Sequence, residues 1–210
     1  EYFLAIKGDP ISRTALLSTT IQTNMLLSRM LDNRDSPISK GLYGQKLFAF
    51  TDDIDVTNRL YWNTRDTEEP SPLAMLRDPD LSQARIQDGQ DWEFPHFING
   101  LNISSKSTGR VSSQDPGLDQ NNEIVIATAS LEVGVDDPNV GAVVQHKNPR
   151  NFASFMQRKG RAGRSKIMRP WTAIVLSDYG RDRLAYQGYE HIFDPELKVE
   201  PLPLESFHIK

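Results

Sequence analysis

The chain has 210 residues, of which 38% are hydrophobic and 25% charged, with a net charge of −4, four histidines and no cysteine. These values suit one well-buried globular domain. They exclude disulfides and cysteine-ligated zinc, fit a reducing cytosol and argue against a general nucleic-acid coat, which is normally basic.

No apolar run approaches the roughly 20 residues of a membrane-spanning helix. The chain begins Glu1-Tyr2-Phe3-Leu4 without an initiator methionine or signal peptide, so residues 1–13 read as a connection from a preceding domain. From about Thr14 to Leu31, apolar residues recur at intervals of four (Leu17, Ile21, Met25; then Leu27, Leu31) and predict a helix. Asn33 to Gly44 is polar and punctuated by Pro37, Gly41 and Gly44, which predicts a loop. Lys46 to Thr51 has strand character, and Asp52 and Asp53 supply capping chemistry for a helix to about Arg65. The span from Glu68 to Asn122 is rich in Pro, Asp, Gln, Ser and Gly. Short helices and loops are expected there, with one strand near Gly109 to Ser113.

Regularity returns at Glu123 to Thr128, apolar on both faces as a central parallel strand is, and Gly141 to Gln145 predicts the next strand. Asn151 is placed to cap a helix on which Phe152, Phe155 and Met156 share a face, leaving Gln157, Arg158 and Arg161 outside the apolar stripe. Trp171 to Leu176 reads as a strand, Asp182 to Phe193 as a helix, and 195–210 as a Pro-rich linker to a further domain. Strands alternating with helices imply an α/β fold with a parallel sheet covered on both faces.

Two stretches carry chemistry. In the first, Thr128 and Ser130 follow the strand that ends near Thr128. Ligands gather at the carboxyl ends of strands in open α/β sheets, so hydroxyls there either donate to a phosphate or cap a helix. Gly134 permits close backbone approach, and Asp136 can accept from a ribose hydroxyl or an arginine. The second stretch is Gln157-Arg158-Lys159-Gly160-Arg161-Ala162-Gly163-Arg164, with two arginines three residues apart, each after a glycine. Guanidinium groups are planar, permanently charged forks suited to phosphate. No Asp or Glu occurs from Pro138 to Ser177, whereas Lys147, Arg150, Arg158, Lys159, Arg161, Arg164, Lys166 and Arg169 all do. Such a run is either a solvated face or a polyanion-facing surface, and its coincidence with the paired arginines favours the second. Close cations without nearby acids repel one another unless an anion sits beside them.

Ala127 to Asp136 followed by Gln157 to Arg164 resembles motifs V and VI of superfamily-2 helicases, with the resemblance running from about Glu123 to Ser177. Phe48-Ala49-Phe50-Thr51-Asp52 resembles motif IV more loosely, and a generic buried strand is the other reading. The resemblance implies a RecA-like three-layer α/β domain over 14–194, with a mainly parallel central sheet and a loop-rich insertion at about 68–122. It implies the role of second motor lobe in an ATP-dependent helicase or translocase. Arg161 and Arg164 would then act as arginine fingers on ATP bound to a first RecA-like lobe, with Gln157 near the γ-phosphate and attacking water. Gly134, Asp136 and Gly160 would line the nucleotide, while Thr128, Ser130, Thr51 and Ser113 would face the backbone of DNA or RNA. ATP and Mg2+ are the implied cofactors, held mainly by the preceding domain. This chain has no G-x-x-x-x-G-K-[ST] loop, no Gly-Lys dipeptide and no Asp-Glu pair.

The run Leu131 to Asp136, taken with Ala153 to Gln157, looks most like the large Lhr-type bacterial helicases. Relatives of that type occur in anti-phage systems such as DISARM, which implies a cytoplasmic defence role with other defence subunits as partners. A non-hydrolysing nucleic-acid-binding scaffold is the alternative. Asp194, Glu196 and Lys198 match a nuclease-like spacing without the surrounding fold, and the four histidines have no metal-ligand spacing, so no metal site is expected in this chain.

Overall fold

Six strands lie side by side in one sheet: β1 (Tyr2–Lys7), β2 (Lys46–Phe50), β3 (Thr108–Val111), β4 (Ile124–Ala127), β5 (Val140–His146) and β6 (Trp171–Leu176). Their order is β1-β6-β5-β2-β4-β3, and every neighbouring pair is parallel. Among the described residues five helices accompany them: α1 (Ala15–Met30), α2 (Ile54–Glu68), α3 (Phe152–Lys159), α4 (Gly180–Gln187) and α5 (Tyr189–Phe193). The computed structural model describes residues 1–8, 15–32, 39–68, 105–112, 117, 119–128 and 136–193.

The two-residue period of the strands sorts their side chains between two cores. Leu47 and Ala49 of β2, Ile124 and Ile126 of β4, Ala142 and Val144 of β5, and Ala173 and Val175 of β6 point to one face. There they meet Leu27 and Leu31 from α1 and its end, and Val56 and Leu60 of α2. Phe48, Phe50, Val125, Ala127 and Val143 point to the other. Beside them Ile174 and Leu176 pack against Phe155 of α3 and Ile192 and Phe193 of α5. Full burial of each large side chain contributes about 1.5–3 kcal/mol, so both faces drive the assembly. Strand β5, flanked by β2 and β6, is buried at all seven positions, as a parallel strand covered on both sides must be. The expected α/β, RecA-like three-layer architecture is present.

The structure differs from the sequence reading at three places. The first lies within 1–13, read as a connection, where Tyr2–Lys7 forms edge strand β1, in register with β6 from Tyr2↔Trp171 to Lys7↔Leu176. An edge strand needs only one ladder. Here Leu4 and Ile6 pack on one core and Ala5 on the other, while Tyr2 stacks on Trp171 at 4.5 Å and Phe3 on Phe193 at 4.8 Å. Second, the helix expected over Asp182 to Phe193 starts at Gly180 and is two helices that meet at Gly188. Third, α2 runs on to Glu68, whose buried carboxylate takes both Arg29 guanidinium nitrogens at 2.7 and 2.8 Å and the Lys106 N–H at 3.0 Å. The cap at the start of α2 is as expected, with Asp53 Oδ1 accepting the Asp55 N–H at 2.9 Å. Of the expected 68–122 insertion, residues 69–104, 113–116 and 118 lie outside the described residues, as do 194–210.

Because all strands point one way, the sheet has two chemically different edges. Thr51, Ser112, Thr128, Lys147 and Ser177 follow the strands at the carboxyl edge, and Lys46, Glu123, Asp137 to Asn139 and Pro170 lie at the amino edge.

Candidate functional site

Helix α3 links the two edges. It starts beyond the carboxyl end of β5, where Asn151 Oδ1 accepts the Ala153 N–H at 2.8 Å, as its cap chemistry predicts. It ends at the amino edge, and the paired-arginine segment follows as a tight turn. The Gly160 N–H donates to the Met156 carbonyl at 3.0 Å, the Arg161 N–H to Arg158 at 3.0 Å and the Ala162 N–H to Lys159 at 3.2 Å. The Gly163 N–H then reaches the Val140 carbonyl at 3.1 Å, tying the turn to the start of β5. Gly163 has φ of +73°, and a Cβ there would lie 2.5 Å from Pro170 Cγ. Glycine is therefore required on both backbone and packing grounds.

Within the turn Arg161 is half-buried, while Gly160, Arg164 and, on the last turn of α3, Gln157 are exposed. Arg164 Nη1 lies 2.6 Å from Asp136 Oδ1. The run is thus corrected in one respect: acids distant in sequence come to it in space. Asp136 meets Arg164, Glu1 meets Lys159 at 3.5 Å, and Asp52 meets Arg158 at 2.6 Å. Asp136 and Arg164 keep side-chain exposures of 72% and 35%, so this is a solvent-screened pair worth at most about 1 kcal/mol and readily exchanged. The amino edge therefore holds Arg161, Arg164, Gly160 and Asp136 together, with Gln157 nearby on α3.

The carboxyl edge bears Thr128 and Thr51. Thr128 follows β4, its N–H donating to the Val111 carbonyl at 3.2 Å, and it is half-buried. Thr51 is 1% exposed, and its hydroxyl bonds Thr57 Oγ1 and the Asp53 carbonyl, each at 2.8 Å. The expectation that Thr51 faces nucleic acid is corrected accordingly, because its hydroxyl is consumed in capping α2. Ser112 is buried, and Gly134, Ser130 and Ser113 lie outside the described residues.

A cleft of about 220 Å³ opens at this edge, between the ends of β2 and β5 and the start of α4. Its acids are occupied by backbone donors. Asp182 accepts the Asn148 and Ser177 N–H groups, both at 3.0 Å, and Asp52 Oδ2 accepts the Arg150 N–H at 2.9 Å. Lys147 and Arg150 are exposed on its rim, and Lys147 sits at φ of +66°, where a non-glycine residue is strained. Below them His146 is 5% exposed, with Nδ1 2.7 Å from Thr20 Oγ1. That hydroxyl donates to the Leu16 carbonyl at 2.8 Å, so the imidazole is the donor through Nδ1. Burial first, and then Lys147, lower the His146 pKa from 6.5 to about 4, keeping the ring neutral at pH 7.

Arg158 is the principal residue the sequence reading misplaced. Expected outside the apolar stripe, it is 2% exposed. Its guanidinium lies 5.6 Å above the Phe50 ring, donates to Gln145 Oε1 at 2.8 Å and pairs with Asp52. The available signal was its i+3 relation to Phe155, which puts both on the inward face of α3. His146, at the end of a strand, was likewise passed over, and Lys147 was read only as one member of the cation run.

The all-parallel sheet, with the arginine turn at one edge and the Thr128 segment at the other, has the fold of RecA-like helicase domains. Residues 101–166 match the family model of the helicase conserved C-terminal domain. ATP-dependent DNA helicase Q1 of Rattus norvegicus is 30% identical over 71 residues, 34% of this chain and 10% of that protein. A Q1-type relative from Caenorhabditis elegans is 38% identical over 53 residues, 25% of this chain and 8% of that one. The chain thus matches about a tenth or less of the length of these relatives. Among solved structures, the DUF1998 helicase MrfA bound to DNA aligns with TM-score 0.54 at 14% identity, over 91% of this chain and 22% of that one. S. cerevisiae Dbp5 bound to RNA and ADP BeF3 aligns with TM-score 0.50 at 13% identity, over 93% and 40% respectively. These structural likenesses concern the fold.

Proposed function

We propose that this chain is the second motor lobe of an ATP-dependent superfamily-2 helicase or translocase, supplying arginine fingers to a nucleotide held by a first RecA-like lobe. The observation that carries the reading is the amino-edge turn. It is fixed by four backbone hydrogen bonds and an obligatory glycine, yet it holds out Arg164 on a weak, exchangeable pair. A rigid base with a mobile cation suits a group that must meet transient negative charge.

In this reading Arg164 leaves Asp136 for a phosphate oxygen, Arg161 reinforces it, Gln157 orients the attacking water, and Asp136 is released to a ribose hydroxyl. Gly160 and Gly134 let the backbone approach the nucleotide. ATP with Mg2+ supplies the triphosphate and its charge neutralisation. In this reading the metal carboxylates belong to the other lobe. Thr128, Ser130 and Ser113 are assigned to the phosphates of DNA or RNA, and Lys147 and Arg150 add charge beside the cleft. Such contacts give weak sequence preference and strong salt dependence. In this reading, which the resemblance to Lhr-type helicases supports, the protein acts in cytoplasmic anti-phage defence with other defence subunits as partners.

The test is nucleic-acid-stimulated ATPase of the complete protein. Arg161→Ala and Arg164→Ala should each lower the stimulated rate by about 10³-fold or more, the scale of an arginine finger. If both variants hydrolyse ATP at the parent rate, the assignment is wrong. A parent that binds nucleic acid without hydrolysing ATP would indicate a scaffold instead.

A further inference from the structure

We infer that Arg158 is a positioning residue that couples the nucleic-acid-facing edge of the sheet to the arginine turn, an inference that rests on the motor-lobe reading above. Its backbone belongs to one edge, since its carbonyl accepts the Arg161 N–H at 3.0 Å and so forms part of the turn that presents the fingers. Its side chain belongs to the other. Cβ atoms on a helix point toward the helix N-terminus, so the guanidinium runs back beneath α3, across Phe50, to Gln145 and to Asp52 just beyond the end of β2.

The same Asp52 carboxylate accepts the Arg150 N–H at 2.9 Å. The loop bearing Lys147 and Arg150, the end of β2 and the finger turn therefore share one chain of contacts, Arg150–Asp52–Arg158–Arg161. A guanidinium 2% exposed cannot leave its carboxylate cheaply, because the partner left behind would be a poorly solvated charge. Arg158 and Asp52 therefore move as one unit. A shift of the loop and the end of β2 when a nucleic-acid backbone docks displaces the turn, and a shift of the turn when the fingers engage phosphate displaces the docking edge. Coupling of this kind is reciprocal in binding free energy.

The experiment measures the Kd of the complete protein for a fluorescein-labelled oligothymidylate, with and without AMP-PNP, and takes the ratio as the coupling factor. The parent factor should fall in the usual range of about 5–150-fold. Asp52→Asn keeps the shape and the Gln145 contact but removes the charge, and should bring the factor to within about twofold of unity. Arg158→Lys, which keeps the charge but loses the fork, should fall between. A purely structural role would lower the melting temperature and weaken both Kd values together, leaving the ratio at the parent value. That result, or an unchanged ratio in both variants, overturns the proposal. A parent in which AMP-PNP leaves the Kd unchanged also refutes the coupling, while the motor-lobe reading still stands or falls on its own ATPase test.

Discussion

Replacing His146 by asparagine should remove an acid-sensitive component of stability. The ring is 5% exposed and held neutral, with a pKa lowered from 6.5 to about 4, chiefly by burial. A histidine whose folded pKa lies below its unfolded value binds its proton in the unfolded chain first. Folding is therefore unaffected by this group above about pH 6.5, and stability drains away as pH falls from there through about 4. The drop from 6.5 to about 4 corresponds to about 3 kcal/mol at 1.36 kcal/mol per pH unit. At pH 4.5 most of it should already be lost. The asparagine of His146→Asn would keep an N–H near the Nδ1 position for Thr20 but cannot titrate, and its smaller volume costs a pH-independent amount of about 1–3 kcal/mol. Urea denaturation from pH 7 to 4.5 should thus show the parent ahead at neutral pH and the variant gaining steadily below 6.5, carboxylate effects cancelling between them. A difference that stays constant across that range would refute the burial argument.

Two further changes test the frame around the site. Gly163→Ala places a Cβ 2.5 Å from Pro170 at φ of +73°, and should cost about 1–3 kcal/mol by thermal unfolding while leaving helix content intact. Arg29→Ala strands the buried Glu68 carboxylate and should cost about 3–5 kcal/mol in urea. Replacing both partners with apolar residues, as in Arg29→Met with Glu68→Leu, should recover most of that loss, and a double variant as unstable as the single one would contradict the argument.

The layered fold was legible because its strands are short apolar runs that no helical period explains. Val125 and Val143, for example, flank Phe48 in register and are buried as their continuous hydrophobic stretches required. Helix caps at Asp53 and Asn151 were legible for the same local reason. Strand β1 was not, because five apolar residues in a row, Tyr2 to Ile6, carry no periodicity and become a strand only when β6 offers its ladder. The site divides likewise. The arginine turn could be read from its glycines. The burial of Arg158, the capture of Thr51 in a cap and the arrival of Asp136 and Asp52 beside the cation run depend on contacts between residues far apart in sequence. Charge clustering along a chain says little about charge balance in space, and Asp52 with Arg158, 2.6 Å apart in the fold, show the gap.

Strand β5 begins at the carbonyl that fixes Gly163 and ends beside Lys147, with every residue between them buried. Seven residues of parallel strand span about 20 Å. The strand is therefore a built-in ruler. Probes attached at Lys147 and at Lys166, two exposed positions, should keep one separation as long as the loop and the turn move as one unit. Any distance measured from either position to a neighbouring lobe can then be read as movement between bodies, with the internal pair as its standard.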